Sequence, residues 1–162
     1  MVSFLLPSPT QNLTIELQVY GPSMVPTFSA VTDWILEDTL SVHLGRPLVR
    51  GQVVVLKSPR TPGDQICKRI IGLPGDVICV DPIGKDAEAK EHVIIPQGHI
   101  WIAGDNSAAS IDSRVYGPVP MALVRARVVA GVSCNLRCLP SLRALIWRLR
   151  YSLGGPSGQM RL

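Results

Sequence analysis

Fourteen glycines and fourteen prolines are spread along the whole chain instead of being gathered in one segment. Breakers at that density leave room for short strands and turns and disfavour a helical bundle. The chain of 162 residues is in the range of a single domain, and its 46% hydrophobic fraction against 17% charged residues is enough to bury a core. The apolar residues between the breakers follow the two-residue period of strands. Leu13, Ile15, Leu17 and Val19 alternate with Thr14, Glu16 and Gln18, which predicts a half-buried strand over 12–20. A second short strand is expected over Thr32 to Leu36, and Glu37 to Arg50 reads as a helical turn or a loop. Val53-Val54-Val55-Leu56 is a continuous apolar run, suited to a strand covered on both faces.

Further strands are expected over Gln65 to Ile71 and Val77 to Val80, joined by Gly72-Leu73-Pro74-Gly75-Asp76 as a hairpin-like pair. Others are expected at Val93 to Ile95, His99 to Ala103 and Leu123 to Val132, the last with Arg125 and Arg127 on one face. Asp81 to His92 reads as a loop, as does the small-residue polar stretch Gly104 to Arg114. From Ser141 to Leu153 the period changes: Leu142, Leu145, Ile146, Leu149 and Leu153 form one stripe, with Arg143, Arg148 and Arg150 outside it. A basic amphipathic helix of this kind can dock on its own domain, bind a partner or lie on an anionic bilayer.

Two polar spots carry chemistry. In Gly21-Pro22-Ser23-Met24-Val25-Pro26-Thr27 a serine stands between two prolines; on its own this reads most simply as a turn. A serine hydroxyl becomes a useful nucleophile only beside a base that takes its proton. In Gln65 to Ile71, Ile66, Lys68 and Ile70 share one strand face while Cys67, Arg69 and Ile71 share the other. A free lysine titrates at about 10.4 and is almost wholly protonated at neutral pH. Burial between isoleucines favours the neutral amine, which can act as that base. His43, His92 and His99 are the other candidates, but none stands in a comparable setting. Cys67 reads as packing, and Arg69 as a surface charge or, less simply, as one half of a structural salt bridge.

Some classes of function recede. The net charge of +4 and a pI near 9.1 suit an anionic membrane surface as well as nucleic acid, and no helix-turn-helix candidate or basic domain precedes Ser23. The four cysteines, Cys67, Cys79, Cys134 and Cys138, do not have the look of a disulfide scaffold. Cys134 and Cys138 have no second Cys or His pair nearby to complete a zinc site, so no metal is expected. No run of about 18 to 20 apolar residues encodes a membrane span.

Taken together, Ser23-Met24-Val25-Pro26-Thr27, then Lys68-Arg69 leading into Gly72-Leu73-Pro74-Gly75-Asp76, then Gly104-Asp105-Asn106 with Ser110, Asp112, Ser113 and Arg114, form an ordered set of boxes. This set resembles the type I signal peptidases, serine proteases with a Ser-Lys dyad, over roughly Val19 to Gly131. Within that family, Gly21-Pro22-Ser23-Met24, Lys57-Ser58-Pro59, Ile66-Cys67-Lys68-Arg69 and Asp112 to Pro118 point to the subunit-1 type of the mitochondrial inner membrane peptidase. The resemblance implies a mostly β fold, a compact antiparallel, barrel-like catalytic domain, here followed by the C-terminal amphipathic helix. It implies Ser23 as nucleophile, Lys68 as general base and Ser110 as the hydroxyl that orients the amine. Asp112 and Arg114 would form an ion pair supporting their loop, and Asp105 and Asn106 would brace that loop against the preceding strand.

Bacterial members often carry a serine two residues before the nucleophile that helps hold the oxyanion; here that position is Gly21, as in mitochondrial members. Oxyanion stabilisation then rests on the Ser23 backbone N–H, with room for a second backbone donor that the sequence does not assign. The family usually has a span upstream of the serine, whereas 22 residues precede Ser23 here. The expected organisation is a short N-terminal segment over 1–18 lacking a clear span, a catalytic domain over 19–131, and a basic helix and tail over 132–162.

The resemblance implies removal of hydrophobic sorting presequences from proteins delivered to the mitochondrial intermembrane space, at the inner membrane, with no cofactor. Its implied partners are the precursor proteins and a second peptidase subunit, together with the membrane and without nucleic acid. Two other readings are a non-catalytic stabilising subunit, whose expected loss of the dyad is not seen, and a relative of the Ser-Lys self-cleaving repressors.

Overall fold

The computed structural model describes residues 13–31, 33–80, 91–133 and 160–161. The expected helix over 141–153, together with Cys134 and Cys138, lies outside these residues, as do residues 81–90 of the expected loop. The strands are β1 (Leu13–Tyr20), β2 (Asp33–Asp38), β3 (Val53–Lys57), β4 (Gln65–Gly72), β5 (Val77–Cys79), β6 (His92–Ile94), β7 (His99–Ala103), β8 (Val119–Pro120), β9 (Val124–Ser133) and β10 (Met160–Arg161). Among the described residues there are also two single-turn helices, α1 (Leu40–His43) and α2 (Ser113–Tyr116), and three 3-10 turns at Pro22–Met24, Ser107–Ala109 and Met121–Leu123.

The main sheet runs β10-β1-β2-β9-β3-β4-β7-β8, and β10 also pairs with β4. The pairs from β1 round to β8 are antiparallel, whereas β10 lies parallel to both β1 and β4. That double pairing closes β1, β2, β9, β3, β4 and β10 into a ring, the mostly β, barrel-like architecture that the family resemblance implied.

The continuous run in β3 is covered on both faces. Val55 joins Val19, Met24, Phe28, Ile35, Cys67 and Ala126 in one buried cluster. Val54 and Leu56 join Ile70, Ile100, Ile102, Val119 and Val124 in a second. Each fully buried aliphatic side chain contributes about 1.5–3 kcal/mol relative to exposure, so these clusters supply much of the drive to fold. Cys67 on β4 enters the first cluster and Ile70 the second, as the alternation along that strand requires. Cys67 is a free thiol whose burial pushes its pKa up to about 12, in keeping with a packing role.

One expected pairing is different. β5 pairs with β6, Val77 opposite Ile94 and Cys79 opposite His92, in a separate two-stranded sheet instead of folding back on β4. The reason is occupancy: β3 and β7 already take the two edges of β4. The turn between β4 and β5 is pinned elsewhere. Asp76 accepts from the Leu73 N–H at 2.8 Å and pairs with Arg50, which leads the chain away from the sheet.

Candidate active site

Ser23 occupies the middle of the 3-10 turn that follows β1. The turn begins after Gly21, whose φ of 112° lies where side chains with a Cβ are strained, so glycine here reflects backbone geometry. Proline at 22 suits the first position of the turn, and Met24, wholly buried in the first cluster, anchors it from below. The Gly21 N–H donates to the Ala30 carbonyl at 3.1 Å, closing the base of the loop that carries the serine.

Lys68 projects from β4 into the same spot. Its Nζ lies 2.6 Å from Ser23 Oγ, and both residues are only 2% exposed. Burial pushes the amine's pKa below the ordinary lysine value, against the opposing pull of nearby negative groups that include Asp112 and Asp105. As an ammonium, Nζ donates to the serine oxygen; as a neutral amine, its lone pair accepts the serine proton. The arrangement is therefore able to activate the hydroxyl. His43 and His99 use their Nδ1 atoms on local carbonyls, those of Thr39 and Gln97, each at 3.0 Å.

The polar loop after β7 braces this pair. It does so across the sheet and not only against its own strand. The Asn106 N–H donates to the Ser23 carbonyl at 2.9 Å, and Asn106 Nδ2 donates to the Pro22 carbonyl at 3.1 Å. Asp105 receives Arg69 in a two-pronged pair, Nε to Oδ1 at 2.8 Å and Nη2 to Oδ2 at 2.7 Å, and also accepts from the Thr27 hydroxyl. Arg69 reaches the Gly51 carbonyl as well, at 2.7 Å. Arg69, expected first as a surface charge and second as half of a structural salt bridge, takes the second role and ties β4, the loop after Ser23 and the loop after β7 together. The Arg69 guanidinium in turn holds the Asp105 carboxyl below the usual carboxylate range.

Asp112 is the centre of the other half of the loop. Wholly buried, it accepts from Arg114 through Nε at 2.8 Å and Nη2 at 2.7 Å, from the Gly104 N–H at 2.9 Å and from the Ser110 hydroxyl at 2.6 Å. Burial raises its pKa, but the donors from Arg114, Ser110 and Gly104 outweigh that effect and leave it lowered. Ser113 fastens the loop to its strand by accepting from the Ile102 N–H at 3.0 Å.

Gly104 is the tightest point of the site. A Cβ there would lie 2.3 Å from Ser110 Oγ and 2.5 Å from the Ser23 carbonyl oxygen. Ser110 and the Ser23 backbone therefore flank one glycine. Gly104, Thr27, Arg69 and Ser113 were not singled out as site residues from the sequence. The Gly-Asp-Asn box carried a signal for Gly104, since a glycine between strand and loop often marks a close approach.

Residues 8–86 and 82–132 match the family described as signal peptidase, peptidase S26. The chain belongs to that family of proteases. It is 47% identical over 112 residues to mitochondrial inner membrane protease subunit 1 of Schizosaccharomyces pombe, a match covering 69% of this chain and 69% of the relative. The human protein of the same description is 44% identical over 108 residues, 67% of this chain and 63% of the relative. Mitochondrial inner membrane protease subunit 2 of Saccharomyces cerevisiae is 38% identical over 126 residues, 75% of this chain and 69% of the relative. A crystal structure of a signal peptidase I from Enterococcus faecalis aligns with a TM-score of 0.42 at 24% identity, covering 52% of this chain and 98% of that one. Among the described residues of this signal peptidase homologue, no helix is long and apolar enough to cross a membrane.

Proposed function

We propose that the chain is a serine endopeptidase that removes hydrophobic sorting presequences from proteins delivered to the mitochondrial intermembrane space, with Ser23 as nucleophile and Lys68 as general base. The observation that carries this reading is the 2.6 Å contact between a buried serine hydroxyl and a buried lysine amine. In the first step, the neutral amine takes the Ser23 proton as Oγ attacks the scissile carbonyl. The developing oxyanion is held by the Ser23 backbone N–H, a donor of a kind worth about 3 kcal/mol in the transition state. The Lys68 ammonium then gives its proton to the leaving amine, and an acyl-enzyme remains. Water, deprotonated by the same amine, releases the acyl group. These steps use neither a metal nor an organic cofactor.

Ser110 has a positioning role in this scheme. Its proton goes to Asp112, so towards Lys68 its oxygen can only accept, which orients an amine N–H and directs the nitrogen lone pair to Ser23. Asp112 and Arg114 hold Ser110; Asp105 and Asn106 hold the nucleophile turn. The precursor's acyl half lies extended along a strand edge, its backbone adding to the sheet.

Setting and assembly are part of the proposal. Names of the relatives support a place at the mitochondrial inner membrane; a catalytic domain facing the intermembrane space is the further part of the proposal. Similarity to relatives named subunit 1 and subunit 2 supports a heteromeric peptidase with a second subunit. The test is cleavage of a presequence peptide by the purified protein in detergent, beside Ser23→Ala and Lys68→Ala. Both variants are expected to lose cleavage by at least about a thousandfold. Cleavage surviving both changes would overturn the dyad.

A further inference from the structure

β10 differs from the other strands of its sheet in direction, lying parallel to both of its neighbours: Val19 pairs with Met160 and Tyr20 with Arg161 along β1, while Ile66 pairs with Arg161 along β4. Both contacts fall beside the dyad. Tyr20 precedes Ser23 by three residues, and Ile66 precedes Lys68 by two. Because β10 runs in the same direction as β1 and β4, its carbonyl end runs towards Ser23 and Lys68.

That is also the direction required of a peptide whose acyl half is to reach the serine. The segment preceding a scissile bond enters amino end first, and its last carbonyl must arrive at the nucleophile. The gap between β1 and β4 offers backbone groups from both sides, and those groups need partners. One extended segment fits between two strands, so β10 and an incoming peptide exclude one another.

We propose that the Met160–Arg161 segment is a resident competitor in the slot between β1 and β4, an autoinhibitory strap that a precursor must displace. This rests on the proposed peptidase reading for the identity of the incoming peptide. A competitor carried on the same chain meets the slot without a diffusional encounter, whereas a free peptide must supply its own concentration, so even weak pairing by two residues opposes short peptides. A long precursor segment that pairs along more of β1 and β4 wins it. The strap therefore selects for extended, well-anchored substrates over short ones.

The experiment compares the full chain with a chain lacking residues 160–162 and with Arg161→Pro, which removes a backbone donor from the strap. The readouts are binding of a fluorescent, non-cleavable presequence peptide, cleavage of its cleavable counterpart, and hydrogen-exchange protection of the Tyr20 and Cys67 amides without peptide, since the Ile66 amide faces β3. Both altered chains are expected to bind the labelled peptide about tenfold more tightly, to show a lower KM at unchanged kcat, and to lose protection at the two amides. A free peptide spanning Gly158 to Leu162 is expected to compete with the label on the shortened chain. Equal binding by all three chains together with unchanged amide protection overturns the strap while leaving the peptidase reading intact. Tighter binding by the altered chains with no cleavage by any of them supports the strap and defeats the peptidase reading.

Discussion

The Asn106 N–H donates to the Ser23 carbonyl at 2.9 Å, so the loop after β7 holds the serine turn through its main chain. The side chain of Asn106 adds a second bond, Nδ2 to the Pro22 carbonyl at 3.1 Å. Asn106→Ala keeps the first and loses the second. A neutral hydrogen bond at a partly exposed site is worth about 0.5–1.5 kcal/mol, so stability is expected to fall by about that much and cleavage by several-fold. Denaturant midpoints beside kcat/KM check both. A thousandfold loss of cleavage would assign the side chain a larger part than anchoring.

Gly104→Ala places a methyl group 2.3 Å from Ser110 Oγ and 2.5 Å from the Ser23 carbonyl oxygen. Ser110 can rotate, but the carbonyl belongs to the serine turn itself, so the turn must shift. Overpacking of this kind costs about 1–3 kcal/mol. The expected result is a folded protein with a lowered melting temperature and a kcat reduced more than KM is raised. An unchanged kcat would mean that the turn moves without disturbing the dyad.

Lys68 lets stability and activity be separated by pH. Its pKa is lowered by burial, so between that depressed value and the unfolded value of about 10.4 the unfolded chain binds more protons than the folded one. Stability therefore rises with pH through that window. Lys68→Met removes the buried amine and is expected to be the more stable protein at pH 7, with cleavage abolished; its advantage should shrink as pH climbs towards 10. Melting temperatures of both proteins across pH 6 to 10 test this. In the unmodified protein, cleavage is expected to rise with pH, with a midpoint below the ordinary lysine range.

Asp112→Asn leaves the Arg114 guanidinium without its carboxylate at a residue that is wholly buried. Breaking such a pair costs about 3 kcal/mol, the low end for buried pairs because Arg114 keeps part of its side chain in solvent. Asp112 has a lowered pKa when folded. Its contribution is thus present above the unfolded carboxylate value of about 3.9 and is lost as pH falls through the folded value. Urea melts from pH 7 to pH 2 should show the difference between the two proteins closing at the acid end.

The strands were legible because a two-residue period records burial directly. In β4 it even separated the face carrying Lys68 from the face carrying Cys67. Alternation does not say which edge a strand will find, so the partner of β5 was misread: the edges of β4 had been taken by β3, the strand before it, and by β7, which lies further along the chain. The same limit hid the pairing of Arg69 with Asp105, 36 residues apart, since nothing local to either residue announces the other. Ser23 and Lys68 were legible only as a combination of boxes. Gly104 was visible as a glycine, but its closeness to Ser110 and Ser23 is a property of the folded loop.

The contacts that build the site join distant stretches of chain: Ser23 meets Lys68 across 45 residues, Thr27 meets Asp105 across 78, and Asn106 meets Pro22 across 84. Closing such long loops is slow and comes only with the strand pairings that span them. No early fragment contains both reactive groups in register. During synthesis the hydroxyl and the amine are therefore expected to meet only when the last of these segments has arrived.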